Sequence, residues 1–72
     1  MQAAAVDLRL AVREAIARLG ERERLAVLEV HLRGRTYEEA AANTGIPLGS
    51  LKRALRAGLA QLREVLDDTR SS

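Results

Sequence analysis

The chain has 72 residues, 47 % of them hydrophobic, with no cysteine and with Tyr37 as its one aromatic residue. A chain this short forms a single small domain, burying about 60 % of its unfolded surface around a core of Leu, Val, Ile and Ala. Without cysteine, disulfides and thiolate zinc sites are excluded, and no apolar run approaches the roughly 20 residues of a membrane span. The opening MQAAAVDLRLAV is interrupted by Asp7 and Arg9 before a signal-peptide core forms, so a soluble cytoplasmic protein without membrane insertion is expected.

The net charge of +2 conceals an asymmetry. Through Glu39, seven arginines balance seven acids. From Ala40 to Arg63 there are four basic residues and no acid, and residues 64–72 return a net −2. Positive charge is therefore concentrated on one segment, which suits either a solvated helix face or an anion-binding one.

In chain order, the spacing predicts an all-α domain with helices over about 3–19, 21–32, 36–43 and 47–66, and a disordered tail over 67–72. In the first helix Leu8, Val12, Ile16 and Leu19 share a face, while Arg9, Arg13, Glu14 and Arg18 occupy the other side. Gly20 interrupts it, as a cap or a link. In the second, Glu21 and Glu23 favour the positive end of the helix dipole. Leu25, Leu28 and Leu32 form its apolar stripe, widened by Val27 and Val30. Gly34, within Arg33-Gly34-Arg35, supplies the left-handed residue that ends it. His31 is the single histidine, without a second ligand type at useful spacing, so it reads as a surface or half-buried side chain and no metal site is expected.

The third helix has the clearest start: Thr36 as N-cap and Glu39 three residues later make a capping box. Asn43-Thr44-Gly45 breaks it, and Ala40, Ala41 and Ala42 keep one side thin for close helix packing. The fourth helix starts near Pro47. Leu48, Leu51, Leu55, Gly58, Leu62 and Leu66 form a narrow seam along it. Lys52, Arg53 and Arg56 lie early on its other face; Glu64, Asp67 and Asp68 lie late, where acid opposes the dipole and fraying is expected.

Helices three and four form a helix-turn-helix. Such a motif needs a small residue at the crossing, a residue that tolerates positive φ at the turn, and an apolar anchor in the second helix. Ala41, Gly45 and Leu51 supply these at positions five, nine and fifteen counted from Tyr37. That arrangement projects the first turns of the fourth helix toward a DNA major groove. The side chains on that face are Ser50, Lys52, Arg53 and Arg56; arginine grips guanine bidentately, while lysine and serine serve base edges or phosphates. Arg35 and the amides opening the third helix at Thr36 are placed to hold a phosphate.

The segment LGERERLAVLEVHLRGRTYEEAAANTGIPLGSLKRALRAGLAQLREVL resembles region 4 of bacterial sigma factors, most closely the extracytoplasmic-function (ECF) group. Gly34, Thr36, Tyr37, Glu39 and Ala41 fall in register with that family's G-x-[ST]-Y-x-E-[IV]-A pattern. Gly45, Ile46, Pro47, Gly49, Ser50 and Lys52 match its G-I-P-x-G-[ST]-[VI]-K, and Leu55 and Leu62 its tail, so the likeness spans about residues 8–66. It implies recognition of the promoter −35 element by the fourth helix, through Ser50, Lys52, Arg53 and Arg56. It also implies docking on the β flap of RNA polymerase and control by an anti-sigma factor. Ala54, Ala57 and Leu59 stand where the family often has arginine, Gly20 replaces a proline, and Ala40 replaces a larger aliphatic. The resemblance predicts weak, strongly salt-dependent DNA binding. Leu59 either packs under the first helix or adds to an apolar surface for a protein partner.

Two other functions compete. A LuxR-type DNA-binding regulator domain shares the R-E-R opening and the four-helix plan, and a sigma-like module that binds an anti-sigma factor rather than DNA would suit the missing arginines. No nucleophile–base pair, histidine-backed carboxylate pair or phosphate loop is present, so no catalytic residue, cofactor or enzymatic activity is expected. Nothing resembles the sigma segment that melts the −10 element, and a domain excised from a longer protein is expected, with a natural stand-alone domain as the alternative.

Overall fold

The computed structural model describes the backbone of residues 2–71 and the side chains of residues 9–67. The described residues form helices only, in the order α1 (Gln2–Arg18), α2 (Glu21–Val27), a wide π turn (Leu28–Leu32), α3 (Tyr37–Thr44) and α4 (Leu48–Ser71). The all-α, four-helix expectation holds.

α4 is the spine against which α1, α2 and α3 all pack. At about 1.5 Å per residue its 24 residues span roughly 36 Å, most of the molecule's 41 Å length. It is helical to Ser71, past the expected end at Leu66, because no glycine or proline follows Gly58 to interrupt it. Ser72 and the side chains from Asp68 onward lie outside the described residues, as does that of Leu8.

Leu19, Ala26, Val27, Ala40, Ile46, Leu51, Ala54 and Leu55 make the core, with Leu25, Val30, Ala41, Leu59 and Leu62 packed against it. The anchor expected at Leu51 is fully buried. In α1, Val12 and Ile16 are half-buried and Ala15, absent from the expected face, is buried; Leu19, just past the helix end, is buried too. Gly58 lies where α2 crosses α4: a Cβ there would meet Val27 Cγ2 at 3.0 Å and Glu23 Cβ at 3.3 Å. A side chain there would force those neighbours back by a few tenths of an ångström.

Three apolar assignments are corrected. Leu32 does not continue the α2 stripe but is 63 % exposed. The amide of Arg33 donates to the Leu28 carbonyl five residues back, at 2.9 Å, and this wider turn rotates Leu32 off the buried face. The α4 seam starts at Leu51, since Leu48, in the first turn, is exposed. In α3 Ala40 is the fully buried small residue, Ala41 is half-buried and Ala42 faces solvent. Three consecutive helical residues turn through some 200° and cannot share one face.

The caps follow the sequence. Thr36 Oγ1 accepts from the Glu39 amide at 3.1 Å, and the Glu39 carboxylate accepts from the Thr36 amide at 2.9 Å. Gly34 and Gly45 take φ of 69° and 76°, the left-handed conformation that ends the preceding helices. Gly20 proves to be the extended N-cap of α2, its carbonyl accepting from Arg24 N at 2.9 Å. Pro47 caps α4 from just outside, accepting from Leu51 N at 2.8 Å. No helix among the described residues is long and apolar enough to cross a membrane.

Candidate nucleic-acid interface

The α3–α4 turn is built locally. Gly45 N donates to Ala41 O at 2.9 Å, closing α3. The Thr44 hydroxyl donates to Ala40 O at 2.8 Å and accepts from Ile46 N at 3.2 Å, which directs Ile46 into the core. With Ile46 and Leu51 buried on either side of the first turn of α4, Lys52, Arg53 and Arg56 are left exposed on its outer face.

Each expected contact residue has a definite setting. Lys52 Nζ lies over the Tyr37 ring, 5.7 Å from its centroid, so the start of α3 adjoins the first turns of α4. An Arg53 terminal nitrogen donates to the Ser50 hydroxyl at 3.3 Å across one helical turn, and Ser50 is half-buried. Arg56 lines an open groove of about 380 Å³ with Tyr37, Lys52, Leu55 and Leu59. The structure therefore brings Lys52, Arg53, Arg56 and Ser50 together.

Arg35 and Thr36 lie apart from that helix, immediately before α3. The Thr36 amide and hydroxyl are engaged by Glu39, which leaves the amides of Tyr37 and Glu38, the first two helical residues, without an intrahelical acceptor. Arg35 pairs through Nε with Glu29 Oε1 at 3.1 Å. Two residues on, the Tyr37 ring lies beneath Lys52 Nζ.

Glu29 is the site residue that pattern reading overlooks. It is only 7 % exposed, yet a charged residue in the wide turn. Its carboxylate also accepts from an Arg33 terminal nitrogen and from Asn43 Nδ2, both at 3.3 Å. One carboxylate thus ties the π turn, the loop and the last turn of α3 together. The available signal was an acid three residues after buried Ala26, with Arg33 four residues further on.

Of the three positions that lack a family-type arginine, Ala54 is buried in the core and only Ala57 is exposed. Leu59 is half-buried: it packs against the core and also lines the groove, so neither account of it is complete alone. His31 is exposed. No cluster of three or more His, Asp or Glu able to hold a metal exists among the described residues. The chemistry on offer is cationic and hydrogen-bonding, suited to holding an anion.

Comparison with known proteins agrees with this geometry. Residues 9–62 match the family described as sigma-70, region 4. The ECF RNA polymerase sigma factor RpoE of Cereibacter sphaeroides is 42 % identical over 50 residues, which cover 69 % of this chain and 28 % of that protein. The matched part contains the capped α3, the left-handed Gly45 turn and the cationic first turns of α4. This chain belongs to the sigma-70 region 4 family.

Proposed function

We propose that this domain recognises the −35 element of promoter DNA as part of an ECF-type sigma factor, directing RNA polymerase to particular promoters from the cytoplasm. The observation that supports it best is the outer face of early α4. Lys52, Arg53 and Arg56 are all exposed there, on a helix aimed by the Gly45 turn, within a segment that holds no acid. Arg53 and Arg56 serve as base readers, Lys52 as a base or phosphate contact, and Ser50 as a partner that steadies Arg53. Arg35 and the start of α3 at Thr36 hold the neighbouring backbone. The family is one of DNA-binding transcription-factor domains and not of enzymes.

The test uses duplexes enriched by the domain from a randomised 20-base-pair pool. Arg53→Ala or Arg56→Ala should weaken binding to the enriched duplex by ~1–3 kcal/mol and relax the preference at one base position each. Unchanged affinity for both variants would overturn direct readout.

The groove between Tyr37 and Leu59 favours a second role for the same helix. Tyr37 is 42 % exposed and Leu55 and Leu59 form an apolar floor, a surface that suits a protein partner. We assign it to the polymerase β flap or an anti-sigma factor. Adding either fragment should shift the NMR signals of Tyr37 and Leu59, and a spectrum unmoved by both would count against docking.

A further inference from the structure

We infer that Glu29 is a positioning residue for DNA binding: it holds Arg35 by Nε so that the two terminal amino groups of the guanidinium are presented to a phosphate. The inference rests on the DNA-reading function proposed above. Three observations lead to it.

Glu29 is buried, with its carboxylate aimed at cations rather than at solvent. Burying a carboxylate is costly unless it is paired, and this one is met by Arg33, Arg35 and Asn43. The pairings are unequal. Arg33 approaches with a terminal nitrogen, and its side chain is 64 % exposed. Arg35 approaches with Nε, at the shorter distance, and its side chain is 42 % exposed. Nε is the guanidinium nitrogen nearest the aliphatic stem, and an ion pair made there leaves the two terminal nitrogens, with four of the five N–H donors, for another acceptor. Among the described residues no hydrogen bond engages those terminal nitrogens.

The backbone fixes the other end of the same arginine. Arg35 N donates to the Glu29 carbonyl at 3.0 Å, so one residue holds Arg35 by both its amide and its side chain. Asn43 then ties the same carboxylate to the last turn of α3, just before the Gly45 turn that aims α4. The orientation of Arg35 is thereby coupled to the frame that carries the reading helix.

Glu29 is negative, and its effect on DNA binding as a mere charge would be repulsion. Positioning predicts the opposite sign. Freeing Arg35 imposes the ordering of one long side chain on the binding step, which weakens affinity roughly two- to twelvefold.

The experiment measures affinity for a mixed-sequence 20-base-pair duplex by fluorescence anisotropy, with urea denaturation of every variant alongside. Glu29→Gln is expected to weaken binding within that range while removing a negative charge. The exposed control Glu64→Gln, with the same charge change, should bind equally or more tightly. In an Arg35→Ala background, Glu29→Gln should change nothing further. Tighter or unaltered binding by Glu29→Gln, or the same loss with and without Arg35, overturns the inference. Arg35→Lys, at an exposed position, tests it with the Glu29 side chain itself unsubstituted. Its single ammonium cannot serve Glu29 and a phosphate through separate donors in a fixed fork, so a loss of similar size is expected; wild-type affinity overturns the inference. Failure of the underlying function is distinct: it appears as no effect of Arg53→Ala and Arg56→Ala on the enriched duplex.

Discussion

Enlarging Gly58 tests the packing that holds α4 in place. A Cβ at that position would lie 3.0 Å from Val27 Cγ2, 3.3 Å from Glu23 Cβ and 3.4 Å from the Glu23 carbonyl oxygen. Carbon atoms pack best at about 3.5–4.0 Å, so the first two neighbours must retreat by several tenths of an ångström. Val27 is 3 % exposed within the core, and Glu23 Cβ moves only with its backbone, so neither retreats freely. Gly58→Ala gains about 1 kcal/mol of helix propensity and incurs about 1–3 kcal/mol of overpacking. The net expectation runs from near zero to a loss of about 2 kcal/mol, or up to roughly 15 °C in Tm for a domain of this size. Gly58→Leu adds three more carbons to the same gap and should cost more than alanine by at least about 1 kcal/mol. Circular dichroism at 222 nm during thermal and urea unfolding measures both. A Gly58→Ala domain more stable than the parent, or a Gly58→Leu domain as stable, would show that the α2–α4 approach is looser than described.

Two further outcomes are expected. Thr36→Ala removes one half of the capping box and should cost about 0.5–2 kcal/mol in urea unfolding, with the loss seen first as faster amide exchange in α3. With Arg35, Lys52, Arg53 and Arg56 as phosphate or base contacts, log Kobs for duplex binding should fall against log salt concentration with a slope no steeper than about −3 to −4; a slope near zero would remove the electrostatic basis of the interface.

What the sequence made legible was local. The Thr36 capping box, the left-handed Gly34 and Gly45 and the Leu51 anchor each depend on neighbours within a few residues, and each stands in the structure as expected. The exposure of Lys52, Arg53 and Arg56 follows from the same local phase of α4. What escaped depends on longer reach. The Glu29–Asn43 bond joins residues fourteen apart in sequence, and no periodicity encodes such a pair. The expected burial of Leu32 rests on a uniform 3.6-residue repeat, and the turn that carries Leu32 has a hydrogen bond spanning five residues. Leu48 follows the seam's spacing but precedes the point at which α4 meets the core, so its periodicity is real and its burial is not.

The geometry also changes how the missing arginines weigh on the proposed function. By sequence, Ala54, Ala57 and Leu59 together thin the charge of the recognition helix. In the fold they are not equivalent. Ala54 is 8 % exposed and faces the core, so an arginine there would have to bury its stem before reaching DNA. Leu59 packs against the core and floors the groove beside Tyr37, so in the docking role proposed above its apolar surface would add to that groove. Ala57 alone is a solvent-facing position from which a cation is absent. On the DNA-facing surface proposed above, the deficit is therefore one charge rather than three, and Arg35, outside the helix, is held by Glu29. In the function proposed above, so short a recognition face makes a domain that reads DNA modestly by itself and relies on a larger assembly for the rest of its affinity.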